Sequence, residues 1–378
     1  VLISELLDYI EQGFKIPGNN ILDRIVTKHR LQPFSPEYFK KNEKLFSYSG
    51  ENLRAAQSMM EDRREPVPFI SKGLSDPDLE EWKTVDLDDL CSFFGNPTKF
   101  LLEKRLRIYL RERASILEER ETFDIKGLEK YLLEENLMKR RFEGHDLKDF
   151  LPLTRAGGLL PHGTVGECTY EGLSSGVEGF AEKMVPYMQG KTLDPLEVDL
   201  PIAGFRVTGR IPSIYTERLV QYRYARVKPK DRLKIWIYHL ALNTLNADHY
   251  PRTAMLAGLM PQGKDPVLVA WEYPSMEKSE AILEDLLEKY RAGLVRPLHF
   301  FPKSSWEYAH MLLEKDKPEE DALGRALSVW EGDDYTPGEC EDTYYQLCFG
   351  NTEPLDSEFK VIAEEVFGPL LRNEKAIG

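Results

Sequence analysis

The sequence predicts an α/β fold of three layers, a sheet of mixed direction flanked by helices on both faces. Three observations carry that reading. Residues Leu196–Leu200, Phe205–Ile211 and Leu219–Tyr224 alternate apolar with polar side chains, the period of a half-buried strand. A helix opened by Pro229 places Leu233, Trp236, Ile237, Leu240 and Ala241 on one face and is largely apolar on the other, so it is a buried helix. Two further strands follow at 253–259 and 266–272, the second nearly continuous in apolar residues and therefore interior. Strands bracketed this way by helices build a sheet covered on both faces.

The remaining elements follow in chain order. Leu2, Leu6, Leu7 and Ile10 give an opening helix an apolar face, and Gly13 and Pro17 stop it. Pro33 and Pro36 then forbid a regular helix, so residues 1–60 read as a short, mostly helical segment too small to bury a core of its own. Residues 61–82 mix charge, proline and glycine as a linker does. From Asp86 the pattern is denser. Leu87, Leu90, Cys91 and Phe94 fall at helical spacing, Gly95 closes that helix, and Asn96-Pro97 caps and opens the next. That helix leads into Lys104, Arg105, Arg107, Arg111 and Arg113. Helices are expected near 125–138 and 173–188, with Glu167 in a glycine-rich loop before the second, and Ser275 is expected to cap a helix carrying Ile282, Leu283, Leu286, Leu287 and Tyr290 inward.

Composition bounds the function. A hydrophobic fraction of 42% fills a real core, which excludes a disordered chain. The longest apolar runs fall well short of the ~18 residues that a membrane span needs, and the N-terminus has neither a basic region nor a small-residue cleavage site. The missing initiator Met suggests an excised fragment. Four scattered cysteines without a Cys-x-x-Cys spacing indicate reduced cytoplasmic thiols rather than zinc ligands. The net charge of -14 argues against a free-standing nucleic-acid binder, but the charge is segregated. Between Arg206 and Lys234 nine Lys or Arg face only Glu217 and Asp231, whereas twelve acids face three bases between Glu307 and Asp342. A basic stripe in an acidic protein can hold a phosphate backbone locally, or its charges can be solvated or paired.

The predicted order of elements is also that of the restriction-endonuclease-like, PD-(D/E)XK, core with helical additions, although topology alone leaves many functions open. Nucleases on that core hold Mg²⁺ with carboxylates on the second and third strands and place a lysine just past the last one. The ion needs oxygen ligands, both to activate water and to neutralise the leaving oxygen. In the helicase-linked branch the second strand ends in a Gly-x-Ile-Asp-like tetrad and the third reads like Val-Asp-Tyr-Lys. Here the tetrad is Gly209-Arg210-Ile211-Pro212 and the third strand is Val220-Gln221-Tyr222-Arg223. Pro212 has no side-chain oxygen, Gln221 is neutral, and Arg210 and Arg223 bring positive charge toward the place of a cation. No catalytic residue and no metal site are expected, and Glu197, Asp199, Glu217 and Glu167 offer no cross-strand replacement. Glu331-Gly332-Asp333-Asp334 reads as a solvated acidic turn, since it lacks the spacing of a calcium loop. His239 reads as a hydrogen-bonded core residue. No Gly-x4-Gly-Lys-Ser/Thr loop occurs, so neither ATP hydrolysis nor any bound cofactor is expected of this stretch.

Several segments resemble a known family. Leu6-Leu7-Asp8-Tyr9, Leu31-Gln32-Pro33-Phe34-Ser35-Pro36-Glu37-Tyr38-Phe39 and Leu45-Phe46-Ser47-Tyr48-Ser49 resemble the last helicase-like portion of the RecC family. Phe93-Phe94-Gly95-Asn96-Pro97-Thr98-Lys99-Phe100, Arg296–Ser304, Trp330-Glu331-Gly332 and Tyr344-Tyr345-Gln346-Leu347 resemble its C-terminal domain. The resemblance covers essentially the whole chain. It implies a gamma subunit of exodeoxyribonuclease V, working with RecB-type and RecD-type subunits in double-strand-break repair and recombination. It implies a nuclease-like domain over 83–378 that has lost its catalysis. It further implies contact with double-stranded DNA ends and separated single strands, through a pin that splits the duplex.

Within that frame Arg206, Arg210, Tyr215, Arg218, Arg223, Arg226, Lys228, Lys230 and Lys234 are the candidate DNA contacts. The hairpin Ser213–Arg218 is nominated as the pin because Tyr215 can stack on an unpaired base, against the plainer reading of a surface turn. Phe300, Phe301, Trp306, Trp330, Tyr344 and Tyr345 would offer apolar surface to partners, although part of that set must be core. The alternative is an active metal-dependent nuclease resembling RecB or AddB, which keep the carboxylates. A third reading is an acidic interaction domain without a DNA role.

Overall fold

The computed structural model describes residues 2–41, 44–60, 68–70, 72–75, 82–110, 125–262, 265–350 and 352–377. The expected linker at 61–82 lies largely outside them, as do Arg111 and Arg113. The chain divides into two units, Val1–Pro66 and Val67–Gly378. In the first, α1 (Leu2–Gly13), α2 (Ile21–Ile25) and α3 (Gly50–Met60) flank the proline-rich turn. The apolar face of α1 stays exposed at Leu2, Leu6 and Tyr9. Tyr38 is buried instead; its hydroxyl accepts from the Arg30 amide at 2.8 Å and donates to the Arg30 carbonyl at 3.1 Å.

The second unit opens with β1 (Thr84–Asp86) and α4 (Leu87–Gly95), whose cap is the Asp86 carboxylate. Asn96 then caps α5 (Pro97–Phe100) by accepting from the Lys99 amide at 2.9 Å. Next come α6 (Gly127–Phe142), α7 (Leu151–Ala156) and α8 (Gly163–Met184), and then β2 (Leu196–Ile202), β3 (Phe205–Ile211) and β4 (Leu219–Tyr222). The buried helix is α9 (Pro229–Leu245), followed by β5 (Ala254–Gln262), β6 (Asp265–Tyr273) and α10 (Ser279–Val295). The end comprises α11 (Pro302–Leu313), α12 (Glu319–Glu331), α13 (Thr343–Phe349), α14 (Ser357–Asn373) and β7 (Lys375–Ile377). No helix among the described residues is long and apolar enough to cross a membrane.

The expected single sheet is instead two small mixed sheets, ordered β1-β3-β2 and β4-β5-β6-β7. The break falls at Pro212, which has no amide proton to donate, and Ser213, whose φ of 60° is left-handed. Pairing resumes past them only as the isolated bridges Ile214↔Leu219 and Thr192↔Tyr215. β1 runs parallel to β3 and β4 parallel to β5, while the other pairs are antiparallel. The four-stranded sheet is covered on both sides. Leu219, Leu256 and Tyr273 join a core with α4, α9 and α10, while Val220, Met255, Ala257 and Ala270 join another with α6 and α8. The three-stranded sheet buries one face only: Leu196, Val198, Leu200 and Ile202 point inward and Glu197 and Asp199 outward.

Every residue of α9 from Arg232 to Asn243 except Lys234 is buried, so its polar groups must find partners inside. Asn243 donates to the Arg252 carbonyl at 2.9 Å and accepts from the Met276 amide at 3.1 Å, which ties two connections to the helix. His239 packs against Trp236 and Tyr273, and burial pulls its pKa from 6.5 down to about 4 against a weaker raising hydrogen bond that the imidazole donates to the Pro274 carbonyl. The unfolded imidazole takes up its proton near pH 6.5, whereas the folded one resists until about pH 4. Stability held above pH 6.5 is therefore lost as the pH falls through that interval, by about 3 kcal/mol. A His239→Leu variant should lose correspondingly less between those two pH values in urea unfolding; identical losses would remove His239 as the cause.

Three expectations are corrected. The helix predicted from Ser275 begins at Ser279, because the Met276 backbone is held by Asn243 on one side and by Arg252 at 3.3 Å on the other. Glu167 lies within α8 and pairs with Arg155 at 2.6 Å, since that helix starts at Gly163. Two of its glycines, Gly166 and Gly176, serve close packing; a Cβ at Gly176 would meet the Tyr224 hydroxyl at 2.5 Å. Last, Phe300, Phe301, Trp330, Tyr344 and Tyr345 are buried and Trp306 is half-buried, so this set is core rather than a docking surface. Phe301 anchors the third core, with ring centres of Trp330 and Tyr345 at 4.4 and 5.0 Å.

Candidate nucleic-acid interface

Pro212, Gln221 and Arg223 do come together. They line one cavity of about 640 Å³ between α6, the exit of β4 and the start of α9, with Val220 and Leu256 among its apolar lining. Gly209 brings β3 close to this end of the fold: a Cβ there would sit 3.2 Å from that of Leu87, and its φ of 142° suits only glycine. The Arg223 guanidinium lies 3.1 Å from Asp231, itself the third residue of α9, and 5.1 Å from the Tyr131 ring centre. Lys234 stands 3.8 Å from Asp88 and 5.5 Å from the Tyr238 ring. Tyr131 and Tyr222 are each pushed up to about 12, chiefly by burial. Among the described residues no group of three or more His, Cys, Asp or Glu gathers as a metal site.

Arg210 is placed differently from the expectation that it charges this cavity. Strand alternation turns Ile211 inward and Arg210 outward, where Arg210 pairs with Glu197 across the strands. Arg206 makes two bonds of 2.7 Å to Asp199 on the same exposed face. These pairs raise both guanidinium pKa values and hold Asp199 low, and the two acids once considered as spare metal ligands are engaged here. Arg218 is half-buried 3.3 Å from Glu272. Tyr215 is half-buried, packs against the α6–α8 core, and takes part in the Thr192 bridge at the foot of the hairpin.

The other cations face elsewhere. Arg226 lines a cavity of about 730 Å³ with Trp271 and Trp306. Lys228 and Lys230 line one of about 500 Å³ that also includes Lys303. All three are exposed, and among the described residues no carboxylate pairs with them. Burial first, then Arg223, Lys230 and Lys303 against the opposing Asp231, hold the Lys228 ammonium below its ordinary pKa. Asp231, which restrains Arg223, enters the sequence reading only as a counter-charge in the basic segment, and Asp88 beside Lys234 and Tyr131 and Lys139 on α6 are not singled out there. Asp231 at the third position of a Pro-opened helix was the available signal, because a carboxylate there faces the backbone amides of the turn before it.

Comparison with known proteins places this geometry in a family. The family described as RecC C-terminal domain matches residues 82–312. The chain belongs to it. RecBCD enzyme subunit RecC of Escherichia coli (strain K12) is 26% identical over 95% of this chain and 32% of its own length. The RecC subunit of Haemophilus influenzae is 29% identical over 64% of the chain and 21% of its own length, and that of Buchnera aphidicola subsp. Acyrthosiphon pisum 22% over 99% and 35%. The chain thus spans about a third or less of these RecC relatives. A solved structure, the crystal structure of SSO0001, overlaps 51% of the chain and 98% of that chain at 12% identity, with a TM-score of 0.22.

Proposed function

We propose that this chain is a non-catalytic structural and DNA-binding module of a RecBCD-type helicase–nuclease, acting with RecB-type and RecD-type subunits in cytoplasmic double-strand-break repair and recombination. Residues 1–60 would close the helicase-like region, 61–82 would link, and 83–378 would form a domain descended from a PD-(D/E)XK nuclease. One observation carries the reading: Pro212, Gln221 and the Arg223–Asp231 ion pair line the cavity where that chemistry would need acidic ligands. A guanidinium held by the cavity's own carboxylate opposes a divalent ion twice, by its charge and by occupying the acid. The exposed cations Arg226, Lys228 and Lys230 support contact with phosphates, and the Ser213–Arg218 turn supports strand splitting less well because Tyr215 is half-buried.

The test compares wild-type full-length protein with Gln221→Ala and Arg223→Ala forms, titrating Mg²⁺ or Mn²⁺ calorimetrically and following cleavage of linear DNA. Superimposable isotherms and unchanged cleavage are expected. Metal binding lost in either variant, or cleavage lost on replacing Glu197 or Asp199, would favour the alternative of an active metal-dependent nuclease.

A further inference from the structure

The cavity carries two carboxylates, Glu135 and Asp231, without a metal-site cluster among the described residues, and it is not filled by its own side chains. Its apolar lining and its volume of about 640 Å³ fall within the range of about 300–1,000 Å³ that small-ligand sites occupy. The Arg223 Nε is buried and donates to nothing, although the other end of the guanidinium is held by Asp231. Among the described residues the Gln221 amide and the Tyr222 hydroxyl have no protein hydrogen-bond partner either, and both face this space. Lys139 on α6 is exposed at the rim without an ion pair among the described residues. Tyr131 and Tyr222 line it from two different elements, the first beside the Arg223 guanidinium and the second beside Phe142. A buried nitrogen left open as the Arg223 Nε is costs stability unless water or a ligand meets it.

We propose that this cavity holds one unpaired nucleotide of a single strand, its base between the tyrosines and against Gln221 and its phosphate toward Lys139 and Lys234. A flat heterocycle with donors and acceptors on its edge matches stacking rings plus a neutral amide, and a monoanionic phosphate matches ammonium groups at the mouth. A purely hydrocarbon ligand would leave the amide and the guanidinium nitrogen unsatisfied. A base-paired nucleotide cannot enter, because its edge is already engaged. The inference rests on the reading of the chain as a DNA-contacting module and narrows it to one site.

The experiment uses the full-length protein in the assembly it forms and a single-stranded oligodeoxynucleotide carrying one 5-iododeoxyuridine, with photo-crosslinked peptides mapped by mass spectrometry. Crosslinks on Tyr131 or Tyr222 are expected, absent with the duplex. Tyr131→Ala, an exchange at a half-exposed helix position, should lower their yield about tenfold, the size of one stacked base. Gln221→Glu, which adds an anion while keeping the shape, should do the same with an unchanged thermal midpoint. Crosslinks found only in other segments would overturn the cavity assignment and leave the DNA-contacting reading intact; none anywhere on the chain would overturn both. A photo-reactive residue at position 139 that captures a sister subunit rather than the strand would assign the cavity to a protein partner and sink the proposal.

Discussion

Replacing Glu374 with alanine is expected to destabilise the second unit by about 3–5 kcal/mol, the usual cost of stranding one member of a buried ion pair. Glu374 accepts from Arg232 on one oxygen and from the Tyr273 hydroxyl at 2.5 Å on the other, and its side chain is only 7% exposed. The Arg232 guanidinium is wedged between Trp271 and Trp306, 3.9 and 4.6 Å from their ring centres. Burial raises the Glu374 carboxyl and Arg232 opposes the rise, so each charge is tolerated only because the other is there. Without Glu374 the guanidinium keeps its aromatic walls but loses its anion. It cannot shed its proton, so the penalty appears as unfolding. Urea unfolding followed by tryptophan fluorescence reads this directly, since two indoles flank the group. An Arg232→Met, Glu374→Leu double variant should recover most of the loss, because an apolar pair of similar volume removes both desolvation costs. A loss under about 1 kcal/mol in the single variant would mean that the pair behaves like a solvent-screened surface bridge.

This network also shows where the sequence stops being legible. Arg232 and Glu374 are 142 positions apart, and β7 is three residues long, so no local period announces either the strand or the pair. The same limit hid β1, whose pairing with β3 spans more than a hundred residues. By contrast β2, β3, α9 and β6 carry their own signals, alternation, a proline at the first turn or a nearly continuous apolar run, and their positions agree closely with expectation. The aromatic tail failed for a different reason. Composition cannot distinguish a patch from a core, and it is the packing of α12 and α14 against α11, joined by side chains of α13, that makes the ring of residues around Phe301 an interior.

The site divides in the same way. That Pro212, Gln221 and Arg223 would share one place was legible, because they stand where the nuclease motifs of the second and third strands would set their converging ligands. The fate of the cations was not. Charge summed along the chain treats Arg206 to Lys234 as one stripe, yet alternation sends Arg206 and Arg210 to a face where Glu197 and Asp199 neutralise them. A pro-rata reading of the stripe therefore overstates the positive surface, and the sequence could have said so, since the acids alternate on the neighbouring strand in matching register.

That division sets the second large effect. Changing Arg226, Lys228 and Lys230 together to glutamate is expected to weaken binding of forked DNA by the assembled full-length protein about 10- to 100-fold at moderate salt. Changing them to alanine should lower the slope of log affinity against log salt by about 0.9 for each phosphate contact removed. These three are chosen because each is exposed and no carboxylate among the described residues pairs with it, so a phosphate would meet them without displacing a partner. Arg206 and Arg210 serve as the internal control. Their charges already lie against Asp199 and Glu197, so removing the two guanidinium groups should leave the salt slope nearly unchanged. If the control pair moves the slope and the triple does not, the contact runs over the open face of the three-stranded sheet, and the ion pairs there must open to receive the DNA. If neither moves it, the phosphate contacts lie outside this basic segment, and the surplus charge around Lys228 serves only the solubility of an acidic chain.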